Sequence, residues 1–145
     1  MADLDPLVLR KVTVFSTCSP EQLARLVESG QITEHAAGEA LTEEGVIGHR
    51  FHLILEGKAE VTRGGAPVAT VGRGDFVGEI GLLGGGPSTA TVRCTEATSC
   101  LTLWRQPFWA VLESEPAIAL RILEVVCRRL QGELRPGPAA DRGRF

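Results

Sequence analysis

Between residues 31 and 105 the chain consists of short apolar or alternating runs cut apart by glycine, and this pattern constrains the fold more than any other feature. The runs at 32–36, 51–55, 59–63, 68–71, 90–94 and 100–104 are too short for amphipathic helices. Between several of them stand turn signals: Glu56-Gly57, Arg63-Gly64-Gly65 and Gly72-Arg73-Gly74-Asp75. Short strands at near-regular spacing with tight turns predict an antiparallel sandwich or barrel.

Helical periodicity brackets this β segment. Residues 4–30 read as two helical segments. Leu7, Val8, Val12 and Val14 mark the first, and Ser19-Pro20-Glu21-Gln22 opens the second with an N-cap, a proline at the first helical position and a capping-box glutamine. After Gln106-Pro107 the period returns at 108–112 and again at 117–134. In the last helix Leu120, Leu123, Cys127, Leu130 and Leu134 follow a 3,4,3,4 spacing, and Ile118, Ile122, Val125 and Val126 widen the apolar face. That is more apolar surface than one contact requires. It either packs broadly on the barrel or reserves part of itself for a second copy of the chain or a ligand. Residues 135–145, rich in Pro, Gly and Arg, are expected to form a disordered tail or linker after a domain spanning 1–134.

At 145 residues the chain has room for one domain of ordinary size. Fifteen basic against 18 acidic residues give a net charge of −3, so the molecular field offers nothing to a nucleic acid. No apolar run approaches the length of a membrane span, and the start, Met1-Ala-Asp-Leu-Asp, is acidic where a secretion signal is basic. A soluble, cytoplasmic protein is expected, with no nucleic-acid or membrane contact by this chain. Cys18, Cys94, Cys100 and Cys127 show no CxxC or zinc-finger spacing. Cys94 and Cys100 are near enough in sequence for a disulfide, but each cysteine lies among small or apolar residues and is read as a small hydrophobe.

The chemistry concentrates in Gly74-Asp-Phe-Val-Gly-Glu-Ile-Gly-Leu-Leu-Gly-Gly-Gly-Pro-Ser-Thr-Ala-Thr-Val92, with six glycines from Gly74 to Gly86. So many glycines cost chain entropy and imply sharp turns or close backbone approach. A single helical turn at Glu79-Ile-Gly-Leu-Leu would present amide N–H groups to an anion. A glycine-rich hairpin within a barrel is the alternative.

Together with Ala37-Gly38-Glu39-Ala40-Leu41, Phe51-His-Leu-Ile-Leu-Glu-Gly57 and Val71-Gly-Arg-Gly-Asp-Phe76, this stretch resembles the cyclic nucleotide-binding domain family. The family includes the sensor domains of kinase regulatory subunits, gated channels and catabolite-activator-type regulators. Gly78-Glu79-Ile80-Gly81-Leu82-Leu83 and Pro87-Ser88-Thr89-Ala90-Thr91-Val92 fall in register with its phosphate-binding cassette. The resemblance implies a mainly β fold with flanking helices: an antiparallel, jelly-roll-like β-roll with N-terminal helices, a short cassette helix, and C-terminal hinge (108–112) and lid (117–134) helices. It also implies a ligand, cAMP or cGMP, bound by Gly78, Glu79, Ile80, Gly81, Ser88, Thr89 and Ala90. Glu79 would accept from the ribose 2′-hydroxyl, Gly78 and Gly81 would let the backbone approach the phosphate, Thr89 would contact phosphate or purine, and the Ala90 amide would cradle the anion. Ile122, Val126 and Leu130 are candidates to cover the base, and a homodimer through the last helix is expected, with Leu123, Leu130 or Leu134 in the contact.

Ser88 departs from the pattern. The family has an arginine there whose guanidinium neutralises the phosphate. Either Arg50, Arg73, Arg93 or Arg105 supplies that charge from elsewhere, with Arg93 expected to face outward from a strand, or the domain binds the cyclic nucleotide weakly or binds something else. A buried Glu79 would in turn need water or backbone as partner. The chain therefore reads as a non-catalytic regulatory sensor, or else as an interaction or scaffold domain without ligand. No nucleophile–base pair, P-loop lysine or metal set supports an enzyme, and no metal or cofactor is expected. A cupin-like metalloenzyme would draw on His49, His52 and Glu56, but positions 49 and 52 point to opposite faces of a strand and His35 lies far upstream. A helix-turn-helix does not fit in the residues after 134.

Overall fold

A computed structural model describes residues 15–134. The helical segment expected within 4–14 and the tail expected at 135–145 lie outside the described residues. Helix α1 (Pro20–Glu28) starts as its sequence dictates: the Ser19 hydroxyl accepts from the Gln22 N–H at 3.2 Å, and the Gln22 side chain accepts from the Ser19 N–H at 2.7 Å. Then follow β1 (Gln31–His35), β2 (Ala40–Thr42), β3 (Arg50–Glu56), β4 (Lys58–Arg63), β5 (Ala66–Gly72) and β6 (Phe76–Val77). The chain continues through α2 (Glu79–Gly84), β7 (Thr91–Cys94), β8 (Thr98–Trp104), α3 (Arg105–Ser114) and α4 (Pro116–Leu134).

The strands form two four-stranded antiparallel sheets, in the orders β1-β8-β3-β6 and β2-β7-β4-β5. This is the expected antiparallel β-roll with flanking helices. Strands β2 and β6, of three and two residues, are additions to the runs read from sequence. Strand β5 runs through Pro67, which is tolerated because β5 is an edge strand and owes no N–H to a further neighbour. Helix α3 begins before Pro107, whose missing N–H falls within the first helical turn.

Strand β3 shows why its sequence reads as a continuous apolar run. Phe51 and Leu53 face the helices, packing with Phe76, Leu101, Leu103, Phe108, Ile118 and Ile122, while Ile54 faces the other sheet with Val61, Val71, Val92 and Cys100. A strand buried on both faces loses its alternation. Phe51 stacks on Phe108 of α3 at 4.7 Å and lies 5.3 Å from Phe76. Cys94, Cys100 and Cys127 are free thiols, so Cys94 and Cys100 form no disulfide; Cys18, Cys94 and Cys100 are buried and Cys127 is exposed. Burial raises the Cys94 thiol pKa and pushes that of Cys100 up to about 12, so both act as neutral core residues.

Candidate functional site

Gly78 sets the cassette. Its φ of +95° is one that L side chains rarely adopt, and a Cβ there would collide with the Arg50 carbonyl oxygen of β3. The turn drives Glu79, the first residue of α2, into the interior, where it is 1% exposed. Helix α2 closes with the Gly85 N–H on the Gly81 carbonyl at 2.9 Å. The chain then returns along residues 45–47, with the Ser88 N–H donating to the Val46 carbonyl and the Ser88 carbonyl accepting from the Gly45 N–H, each at 2.9 Å. All seven residues singled out in the sequence come together: Gly78, Glu79, Ile80, Gly81, Ser88, Thr89 and Ala90 line one cleft of about 300 Å³, part of it open to solvent. Thr42, Val77, Val92 and Arg129 complete the lining.

Arg129 is the residue that sequence reasoning missed. It projects from α4, is 2% exposed, and donates at 2.5 Å both to Glu79 Oε2 and to the Phe76 carbonyl, with its guanidinium 4.8 Å from the Phe76 ring centroid. Burial lowers its pKa, the Glu79 charge opposes that shift, and a guanidinium stays protonated in any case. The partner of the buried carboxylate is therefore a cation on α4, in place of the water or backbone expected. None of the four arginines considered from sequence lines the cleft. Arg50 and Arg73 are exposed. Arg93 faces outward, as expected, and donates to the Gly38 carbonyl at 2.9 Å. Arg105 donates to the carbonyls of Leu82 (3.4 Å) and Gly48 (3.3 Å), pinning the cassette helix to the 43–49 loop.

The residues expected to cover a base are placed differently. Ile122 and Val126 pack into the helix-facing core, and Leu130 is exposed on α4 and does not line the cleft. The cupin-like set does not assemble either: His49 and Glu56 are exposed while His52 is fully buried between the sheets. Desolvation, reinforced by Arg50 and His35, pushes the His52 pKa down to about 3, so its imidazole is neutral.

A family model described as the cyclic nucleotide-binding domain matches residues 32–115. The chain is 30% identical over 104 residues to a cAMP-dependent protein kinase regulatory subunit of Hypocrea atroviridis, covering 72% of this chain and 22% of that one. It is 30% identical over 88 residues to a cGMP-dependent protein kinase of Plasmodium berghei (strain Anka), covering 61% and 10%. Its fold superposes on the catabolite activator protein of Thermus thermophilus with a TM-score of 0.76 at 26% identity, covering 83% of this chain and 59% of that one. The chain thus spans less than a quarter of either kinase relative. With the cassette in register and the β-roll around it, the chain belongs to the cyclic nucleotide-binding domain family.

Proposed function

We propose that the cleft is a regulatory, non-catalytic cyclic nucleotide site whose single cation is supplied by the lid helix through Arg129. One observation carries this reading. Glu79 Oε1 is buried against the cleft with no hydrogen-bond partner among the described residues, while Oε2 is held by Arg129. A buried carboxylate oxygen without a donor is costly, and a ligand hydroxyl such as a ribose 2′-OH relieves that cost. The guanidinium beside it offers a forked set of donors to a phosphate, the role left open by Ser88. The relatives described as cAMP- and cGMP-dependent support either cyclic nucleotide as ligand.

Placing the cation on α4 couples occupancy to helix position directly. Arg129 ties α4 to Glu79 and to β6, and a phosphate that draws on the same guanidinium binds better when α4 is closed over the cassette. Such a difference in affinity is what shifts a two-state equilibrium. Calorimetry of the purified chain with cAMP, cGMP and 5′-AMP tests the reading. Saturable binding of one cyclic nucleotide, lost in Arg129→Met, is expected. Failure of both to bind at millimolar concentration overturns it, and the Glu79–Arg129 pair is then a structural clasp in an interaction domain.

A further inference from the structure

We infer that His35, His52 and Cys100 form a zinc site between the two sheets, built from residues that do not line the cassette cleft. The strand register assembles it. Thr33 of β1 stands opposite Cys100 of β8, and Thr102 of β8 opposite His52 of β3, so that positions 33, 35, 100, 102 and 52 share the face turned toward the second sheet. One ligand atom from each of His35, His52 and Cys100 lies within 4.8 Å of the other two, and the three residues are 7%, 0% and 0% exposed. Tetrahedral zinc with two nitrogens and one sulfur has ligand–ligand edges of roughly 3.3–3.8 Å, so a contraction of about an ångström closes the site.

The surroundings have the form that zinc requires. His35 Nδ1 meets Glu39 Oε2 at 2.5 Å, which orients the ring and leaves Nε2 as its coordinating atom. Nε2 now meets the Thr33 hydroxyl at 2.7 Å, which in turn meets the Thr102 hydroxyl at 2.7 Å, and Thr102 meets His52 Nδ1 at 2.9 Å. His52 Nε2, at the end of this chain, has only the Leu41 backbone near it among the described residues and makes no hydrogen bond of normal length. Two imidazoles and a thiol select a borderline-soft cation over magnesium or calcium. On binding, the Cys100 S–H proton leaves to solvent and the thiolate coordinates. Thiolate and Glu39 carboxylate together cancel the charge of the dication, so the occupied site as a whole is neutral.

The test uses the whole chain, stripped with a chelator and then titrated with zinc(II) against a chromophoric competitor, and in parallel with cobalt(II). One zinc per chain and a thiolate-to-cobalt charge-transfer band are expected. Cys100→Ser should abolish the band and weaken zinc by at least about 100-fold. Glu39→Gln, at an exposed side chain whose loss leaves the core intact, should weaken zinc by about 10-fold. Cys127→Ser should change nothing. Absence of stoichiometric zinc, a cobalt spectrum without the thiolate band, undiminished affinity in Glu39→Gln, or loss of binding with Cys127→Ser each overturns the assignment. The cobalt band and the Glu39 variant decide the matter if Cys100→Ser fails to fold.

Discussion

Replacing Arg129 by methionine keeps the length and apolar body of the side chain and removes only the guanidinium. The loss has two parts. The bonds to the Phe76 carbonyl and ring are worth about 1–3 kcal/mol. The other part is the Glu79 carboxylate, left 1% exposed with neither oxygen bonded. Removing one member of a buried ion pair typically costs about 3–5 kcal/mol. Together the two parts put the penalty of Arg129→Met at about 4–8 kcal/mol. Urea unfolding at pH 7 measures this directly. Glu79→Gln added to Arg129→Met should recover about 2–3 kcal/mol at pH 7, since it removes the stranded charge. A penalty below about 1 kcal/mol at pH 7, or no recovery in the double variant, would refute a buried, charge-paired Arg129.

Three further outcomes are expected. Ser88→Arg should strengthen cyclic nucleotide binding by about 1.5–3 kcal/mol in calorimetry, roughly 10- to 150-fold, by adding a second cation to the cleft; an unchanged affinity would place residue 88 outside the phosphate's reach. Because the His52 pKa is depressed to about 3, the unfolded chain takes up a proton that the folded one refuses, and stability should decline as pH falls from about 6.5 toward 3, by at most about 5 kcal/mol. Melting curves of His52→Leu should show a pH slope shallower by about one proton over that window, and an identical slope would contradict it. Leu120, Leu123 and Leu130 are 53%, 53% and 47% exposed along one stripe of α4, a seam suited to a second copy of the helix, so light scattering should report a dimer that Leu123→Glu dissociates.

The cassette was legible because its geometry is local. Gly78, Glu79 and Gly81 act within one turn, and Ser88 to Ala90 follow after a short loop, so a contiguous stretch carried nearly the whole cleft wall. Arg129 was not, although the signal exists: Ile118, Ile122, Val125 or Val126, and Arg129 recur every three or four residues. Two apolar stripes compete on α4, and the one carrying Leu120, Leu123 and Leu130 is exposed, while the core takes Ile118 and Ile122 near Phe51 and Phe108 and Arg129 against Glu79. The meeting of His35 with His52 was equally hidden, since it depends on β8 pairing with both β1 and β3, a long-range register that no local pattern encodes. Strands β2 and β6 escaped notice because runs of two or three residues carry no periodicity.

Trp104 caps α3 and Trp109 lies within it; both are a little over one third exposed, and the chain has two tryptophans and no tyrosine. Nearly all ultraviolet emission of the protein therefore originates at α3, away from the cassette and α4. Half-exposed indoles shift colour and yield with small changes in solvation. Any event that moves α3 is optically visible without a label, and one that fills the cleft while α3 stays still is dark. Comparing the titration endpoint seen by heat with the one seen by light separates occupancy from transmission in the unmodified chain.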